Sequence, residues 1–153
     1  MARIVLADDH PIVLKGVAAV LEGSTHQVVG MAQDGDEALA LAQSSNADML
    51  VVDYRMPRRS GVEVLRQLRD AGDLRQVVLM MASIDNPALN QALALGVNGV
   101  LLKASAPAQL LMCLDQVVRG QRWIDPSLFD QVMTASKAES GGALASLTQR
   151  ERN

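Results

Sequence analysis

Five short, nearly continuous apolar runs occupy the first two thirds of the chain. They are Ile4–Ala7, Val28–Met31, Met49–Val52, Val77–Met81 and Val100–Leu102. Runs of this length without polar alternation are typical of strands that are buried on both faces, as in parallel sheets. The pattern therefore predicts five parallel strands.

Between these runs, apolar residues recur at helical spacing along one face. The first such stripe is Val13, Leu14, Val17, Val20 and Leu21, and the last is Leu110, Leu111, Leu114, Val117 and Val118. One-sided stripes are typical of amphipathic helices that pack on a core. Each predicted strand is thus followed by a predicted helix.

Helix-start and helix-end signals agree with this division. Ser60 and Glu63 have the spacing of a capping box, Asn86–Pro87 places a cap before a first-turn proline, and Gly120 is expected to end the fifth helix. The alternation of strands and helices predicts right-handed crossovers with helices on both faces of the sheet. We therefore expect a doubly wound α/β fold with the strand order 2-1-3-4-5.

Polar side chains follow the predicted strands at their carboxyl ends. Asp8 and Asp9 follow the first strand, and Asp53 follows the third. In the 2-1-3-4-5 order these two strands flank the point where strand order reverses, which is where such sheets bind ligands. Ser83 and Lys103 follow the fourth and fifth strands, so the same edge collects five polar groups.

This set of side chains suits phosphoryl transfer onto a carboxylate. Three carboxylates at one edge repel one another unless a cation neutralises them, and their oxygens are ligands that Mg²⁺ prefers. Asp53 lies centrally and can act as the oxygen nucleophile that forms an acyl phosphate. Lys103 and Ser83 can offer a positive charge and a hydrogen bond to phosphoryl oxygens.

Each of these residues also has an ordinary structural explanation when it is taken alone. Asp9 can cap the following helix, and Asp53 and Ser83 can stabilise turns. Their joint placement at one sheet edge favours the functional interpretation. His10 is interpreted as a partly exposed residue at a helix start, without a chemical role.

Composition and charge narrow the function classes. The chain has 153 residues, a net charge of −3, a pI near 5.3 and only 2% aromatic residues, which argues against broad nucleic-acid binding by this segment. One locally basic stretch is interpreted as a solvated helix face; it contains Arg55, Arg58, Arg59, Arg66, Arg69 and Arg75. No apolar run approaches a membrane span and no signal peptide precedes the first strand, so a cytoplasmic protein without membrane contact is expected.

Four groups of residues carry a family resemblance: Leu6–His10, Asp53–Pro57 with Ser60–Gly61, Ala82–Ser83, and Gly99–Lys103. In this order they resemble the receiver domain of bacterial two-component response regulators, over residues 2 to about 120. The resemblance implies a flavodoxin-like (CheY-like) fold with Asp53 as the phosphoacceptor. It also implies that Mg²⁺ is bound by Asp8, Asp9, Asp53 and the main-chain carbonyl of Arg55, and that the switch residues are Ser83 and Lys103.

The resemblance implies partners as well. A sensor histidine kinase is expected to supply the phosphoryl group, and the protein is expected to act as a signalling switch, not as an enzyme on a separate substrate. The protein is also expected to form a homodimer.

The end of the chain refines the family. Residues 123–145 are interpreted as a linker with a short helix near Ser127 to Ala138, and residues 1–122 as the receiver. Leu147–Arg152 resembles the opening of the LuxR-type helix-turn-helix domain of NarL/FixJ regulators, so residues 146–153 are interpreted as the truncated start of that domain. DNA contact is expected only through its missing part.

Two positions depart from the usual receiver pattern. Val100 stands where most receivers carry a rotating aromatic residue, and Tyr54 is larger than the aliphatic residue common after the phosphoacceptor. An alternative is therefore an atypical receiver that acts as a dimerisation or interaction module without phosphorylation. A Mg²⁺-dependent hydrolase would need a second acid where Arg55 stands.

Overall fold

A computed structural model describes residues 2–128 of the chain. The strands are β1 (Arg3–Ala7), β2 (Gln27–Ala32), β3 (Met49–Asp53), β4 (Gln76–Met81), β5 (Gly99–Leu102) and β6 (Trp123–Ile124). The helices are α1 (Pro11–Glu22), α2 (Gly35–Ser44), α3 (Gly61–Asp70), α4 (Asn86–Ala94) and α5 (Ala106–Val118). The predicted linker beyond Leu128 and the helix-turn-helix opening at Leu147–Arg152 lie outside the described residues.

The strands form one parallel sheet in the order β2-β1-β3-β4-β5-β6. The predicted α/β fold and the order of the first five strands are confirmed, but the predicted number of strands is wrong. After α5, Gly120 adopts a φ of +86°, and the chain then returns to place Trp123 beside Gly99 and Ile124 beside Val100. A two-residue strand is too short to show a periodicity, which is why the sequence pattern assigns it to the linker.

Helices cover both faces of this sheet. In β1, Ile4 and Leu6 pack with α1 and α5, whereas Val5 and Ala7 pack with α2, α3 and α4. Full burial of one such aliphatic side chain contributes about 2 kcal/mol. The central strands are therefore held from both sides, and this packing positions their carboxyl ends. Among residues 2–128, no helix is long and apolar enough to cross a bilayer.

Side-chain caps define where α3 and α4 begin. The Ser60 hydroxyl accepts a hydrogen bond from the Glu63 N–H at 3.2 Å, and the Glu63 carboxylate accepts one from the Ser60 N–H at 2.9 Å, which is the predicted capping box. At α4 the predicted cap is off by one residue. Asp85 is the cap and accepts from the Ala88 N–H at 3.0 Å, while Asn86 is the first helical residue.

Candidate active site

The carboxyl ends of β1, β3 and β5 bring three charged side chains together. Asp8 follows β1, Asp53 ends β3, and Lys103 follows β5. The Nζ atom of Lys103 lies 2.7 Å from Asp8 Oδ2 and 2.9 Å from Asp53 Oδ2. Since the side chains of both aspartates are almost fully buried, at 1% and 4% exposure, the lysine is a bridge between two buried carboxylates.

The loop after β3 is held close to the sheet and fixes the main chain of Asp53. The Tyr54 N–H donates to the Met80 carbonyl at 2.8 Å, and the Gly61 N–H donates to the Tyr54 carbonyl at 2.8 Å. A Cβ atom at Gly61 would lie 2.6 Å from the main-chain oxygen of Asp53. Only glycine therefore lets α3 begin this close to the candidate phosphoacceptor.

Asp9 and His10 extend the cluster toward solvent. The Nδ1 atom of His10 lies 2.9 Å from Asp8 Oδ1 and 3.0 Å from Asp9 Oδ1. His10 itself occupies the cap position of α1 without a side-chain cap bond, so Asp9 is not the cap that its position suggested. The prediction that His10 has no part in the site is therefore not supported by its position; its place directly after two aspartates was the available signal.

Burial and neighbouring charges set the protonation of the bridge. Burial has the largest effect on the pKa of Asp53 and raises it. The hydrogen bond from Lys103 and the charge of Lys103 lower this pKa, whereas the charges of Asp8 and Asp9 raise it. The net shift of the pKa is upward. Burial alone would lower the pKa of Lys103. The hydrogen bonds of Lys103 to Asp8 and Asp53, together with the negative charges of these two residues, outweigh burial, and the pKa of Lys103 is raised. Lys103 is therefore protonated at neutral pH, and the ionised form of Asp53 is disfavoured.

The donor set fits a hard divalent cation. One ligand atom from each of Asp8, Asp9, His10 and Asp53 lies within 4.8 Å of the others. Three of these four groups are carboxylates, and Mg²⁺ prefers oxygen ligands and retains several waters. The Asp9 side chain is 34% exposed, so solvent reaches this side of the cluster.

A cavity of about 140 Å³ lies beside the bridge. Asp53 and Lys103 line it, and so does Ser83, which is exposed on the loop after β4. Arg55 lines the cavity from the loop after β3. Because one ordered water occupies about 30 Å³, this volume is sufficient for a phosphoryl group with several waters.

Tyr54 and Val100 occupy different environments. Val100 is fully buried in β5, whereas Tyr54 lines the cavity with the Arg55 guanidinium carbon 5.8 Å from its ring centre. Burial raises the pKa of Tyr54, the charge of Asp85 and a hydrogen bond to it raise that pKa further, and Arg55 lowers it. The aromatic residue of this pocket therefore follows the candidate phosphoacceptor and faces the cap of α4.

Comparisons with known proteins agree with this geometry. The family described as response regulator receiver domain matches residues 4–115. The nitrate/nitrite response regulator protein NarL of Escherichia coli (strain K12) is 31% identical, covering 99% of this chain and 72% of that protein. The signal receiver domain of a NarL response regulator from Mycobacterium tuberculosis superposes with a TM-score of 0.74 and 33% identity, covering 78% of this chain and 98% of that one.

A larger assembly is also similar. A structure of two RcsB dimers bound to two parallel DNAs superposes with a TM-score of 0.77 and 25% identity, covering 84% of this chain and 66% of that chain. The family match includes the sheet edge that carries Asp8, Asp53 and Lys103.

Proposed function

Because the chain belongs to the receiver domains of NarL/LuxR-type response regulators, which are signalling proteins, we propose that it accepts a phosphoryl group on Asp53 from a sensor histidine kinase. The Lys103 bridge is the observation that carries this proposal. It holds a protonated amine 2.9 Å from one oxygen of the candidate nucleophile, beside a cavity of about 140 Å³ that Asp53 and Lys103 both line.

In the proposed transfer, one oxygen of Asp53 forms a bond to phosphorus while the bond from phosphorus to the kinase histidine nitrogen breaks. The product is an acyl phosphate with a charge of about −2. Lys103 then pairs with a phosphoryl oxygen, and the Ser83 hydroxyl donates a hydrogen bond to another. Since Ser83 lies on the loop before α4, its movement toward the phosphoryl group alters the start of that helix.

Mg²⁺ is the proposed cofactor. Asp8, Asp9 and Asp53 would hold it, with the main-chain carbonyl of Arg55 as a further ligand. When bound, it neutralises negative charge on the carboxylates and on the incoming phosphoryl group. The cluster supports this assignment because two of its three carboxylates share a single lysine, and because burial with like charges raises the pKa of Asp53.

We further propose that phosphorylation controls a homodimer formed through α1 and α5. These helices lie on the same face of the sheet, and each presents a large apolar side chain to solvent: Ile12 is 81% exposed and Met112 is 56% exposed. Dimers on DNA are present in the similar RcsB structure. Leu147–Arg152 resembles the opening of a LuxR-type helix-turn-helix domain, and we assign DNA contact to a domain of that type.

Intact-mass measurement after incubation with acetyl phosphate and Mg²⁺ tests the phosphoacceptor. The native chain should gain the mass of one phosphoryl group, and Asp53→Asn should gain none. Asp73→Asn is the matched control because it alters an ion pair with Arg75 between α3 and β4, at the other end of the sheet, and should be phosphorylated as the native chain is. Equal phosphorylation of Asp53→Asn, or none of the native chain, would contradict the proposal.

A second candidate is a receiver that dimerises without phosphorylation. Val100 favours it, because this fully buried aliphatic residue stands where most receivers carry the rotating aromatic. Sizing by light scattering with and without Mg²⁺ and the phosphomimetic BeF₃⁻ separates the two candidates. A dimer that forms only with BeF₃⁻ supports the first, and a dimer of the same stability in both conditions supports the second.

A further inference from the structure

The edge strand β6 is followed directly by a fully buried carboxylate, Asp125, which is 0% exposed. Its N–H donates to the Val100 carbonyl at 2.8 Å and so continues the β5–β6 ladder. Its side chain extends the pairing one step further, because Oδ2 accepts from the Leu102 N–H at 2.8 Å. The next residue, Pro126, begins a 3₁₀ turn and has no N–H to donate. The Asp125 carboxylate thus pairs with the end of β5, although β6 itself ends at Ile124.

Asp125 binds the main chain directly before Lys103. The Leu102 N–H, which donates to Asp125 Oδ2, belongs to the residue that precedes the lysine. Lys103 begins the 3₁₀ turn Lys103–Ser105, so this contact holds the point from which the turn starts. The main-chain position from which Nζ reaches its two aspartates therefore depends on Asp125.

The carboxylate of Asp125 is a strong acceptor. Burial alone would raise its pKa, but hydrogen bonds from the Leu102 and Ser127 N–H groups and from the Ser105 and Ser127 hydroxyls together lower it. It is therefore ionised at neutral pH, and its hydrogen bonds are charge-assisted, which makes them shorter and stronger than neutral ones.

Local capping does not account for all of these bonds. The Ser127 N–H donates to Oδ1 at 2.8 Å, two residues along the chain, which is an ordinary turn contact. The bond to Leu102 instead spans 23 residues and joins two different elements. A capping role alone would not require the second oxygen to face β5.

We propose that Asp125 is a positioning residue that holds Lys103 in place for phosphoryl binding and couples that site to β6. The inference rests on the proposed phosphorylation of Asp53. When Lys103 moves toward the phosphoryl oxygens, the turn that it begins shifts, and the bonds to Asp125 carry this shift to Trp123–Ile124. By thermodynamic reciprocity, an event that moves β6 alters phosphoryl affinity to the same extent.

The native chain contains its own reporter for this coupling. Trp123 is the single tryptophan of the sequence and lies in β6, so tryptophan fluorescence reports on the edge strand alone. Adding BeF₃⁻ to the Mg²⁺-saturated full chain should change this fluorescence. The same addition to Asp125→Ala should not.

Calorimetric titration separates positioning from general damage. In Asp125→Ala, the affinity for BeF₃⁻ in saturating Mg²⁺ should fall about tenfold, the equivalent of one well-placed hydrogen bond. The affinity for Mg²⁺ alone should stay within about twofold, because the Asp8, Asp9 and Asp53 carboxylates are untouched. Asp125→Asn retains one acceptor oxygen and should give a smaller loss.

Asp73→Ala is the matched control for these titrations. Its Oδ1 atom accepts from the Arg75 N–H at 3.0 Å, so the variant also loses a main-chain hydrogen bond to a carboxylate, but at the far end of the sheet. It should retain native BeF₃⁻ affinity and the native Trp123 response.

Three outcomes are decisive. Native BeF₃⁻ affinity together with a native Trp123 response in Asp125→Ala would overturn the inference, and so would an equal loss of Mg²⁺ and BeF₃⁻ affinity, which indicates a purely structural role. If Asp125→Ala does not fold, Asp125→Asn is judged by the same criteria. If the native chain neither binds BeF₃⁻ nor is phosphorylated on Asp53, the proposed function itself fails, and this result is distinguishable from the other two.

Discussion

The two ends of the sheet hold charged side chains in different ways. At the amino end, the guanidinium of Arg69 uses each of its five N–H groups; the acceptors are the carbonyls of Asp73, Arg75, Leu95 and Gly96 and the side-chain oxygen of Asn98, at 2.9 to 3.2 Å. At the carboxyl end, Asp8 and Asp53 share one lysine, and the net effect of burial and neighbouring charges is to raise the pKa of Asp53. Burial lowers the pKa of Arg69 as well, so both charges are disfavoured by burial, and the two ends differ in hydrogen bonding. We infer that the charge whose donors all have acceptors supports the fold, whereas the carboxylates that share one lysine form the candidate site.

Removing the saturated charge should have the largest effect on stability. Arg69→Met should lower the free energy of unfolding by about 3 kcal/mol or more, because it leaves partly buried carbonyls in the loops that join α3 to β4 and α4 to β5 without this donor. Urea unfolding measures this change. Mg²⁺ affinity should remain within about twofold of the native value, since the carboxyl end is unchanged.

Arg66→Met provides the control for this prediction. Arg66 is exposed on the same helix, so its loss should change the free energy of unfolding by less than about 0.5 kcal/mol. Similar effects for Arg66 and Arg69 would show that the hydrogen bonds of Arg69 do not support the fold as the geometry indicates.

The two ends of the sheet differ in how far the sequence predicts them. Asp8, Asp53 and Lys103 each follow a buried apolar run, so the topology alone brings them together. The cluster of arginines in this stretch favours a solvated helix face, although Arg69 lies four residues after Leu65 and seven after Val62, toward the buried side of α3. Its contacts to Leu95 and beyond lie 26 to 29 residues away, and four of its five acceptors are main-chain carbonyls, which any residue provides.

The sequence pattern also does not predict the hydrogen bond between Asp125 and Leu102. Its pairing with Leu102 requires β6, and that strand has only two residues. An aspartate before a proline is also a common turn signal, which gives the residue a sufficient local explanation. Long periodic elements and the ends of strands were therefore predictable, whereas contacts made by short edges and by main-chain acceptors were not.

Mg²⁺ binding at the carboxyl end of the sheet should have the second largest effect on the free energy of unfolding. At about 100 times its dissociation constant, it should raise the free energy of unfolding of the native chain by about 2.7 kcal/mol. Thermal unfolding at matched ionic strength measures this, with NaCl as the control for general screening. Asp8→Asn should lose most of the effect, and Arg69→Met should retain it. Equal stabilisation of Asp8→Asn would place the cation elsewhere.

Without divalent cations, neutralising Asp53 should stabilise the protein. Burial and like charges raise the pKa of Asp53, so Asp53→Asn should raise the free energy of unfolding at neutral pH by on the order of 1 kcal/mol. At the amino end the sign should reverse: Asp73 pairs with Arg75 at 3.4 Å, and Asp73→Asn should destabilise the protein. Urea unfolding in EDTA compares them, and destabilisation by both substitutions would remove the distinction between the two ends.

The pH dependence of that difference is the smallest expected effect, and its sign follows from the direction of the pKa shift. Asp53 has a folded pKa above its ordinary value of 3.8, so its ionised form destabilises the fold fully at pH values above the folded pKa. As the pH falls through the folded pKa toward 3.8, the folded state binds the proton more readily than the unfolded state, and the destabilisation is relieved. The advantage of Asp53→Asn over the native chain should therefore shrink on acidification.

For Asp125 the native chain should be the more stable one at neutral pH, because the folded pKa of Asp125 is lowered. Its contribution to the free energy of unfolding is fully present above pH 3.8 and is lost as the pH falls through its folded pKa. Asp125→Asn should therefore be less stable than the native chain at neutral pH, and this difference should shrink in acid. Urea unfolding in EDTA from neutral pH to about pH 4 measures the Asp53→Asn curve, and the series is continued below 3.8 to measure the Asp125→Asn curve. A gap for Asp53→Asn that widens in acid would mean that the fold favours the ionised carboxylate, and the contrast between the two ends of the sheet would then have to rest on hydrogen bonding alone.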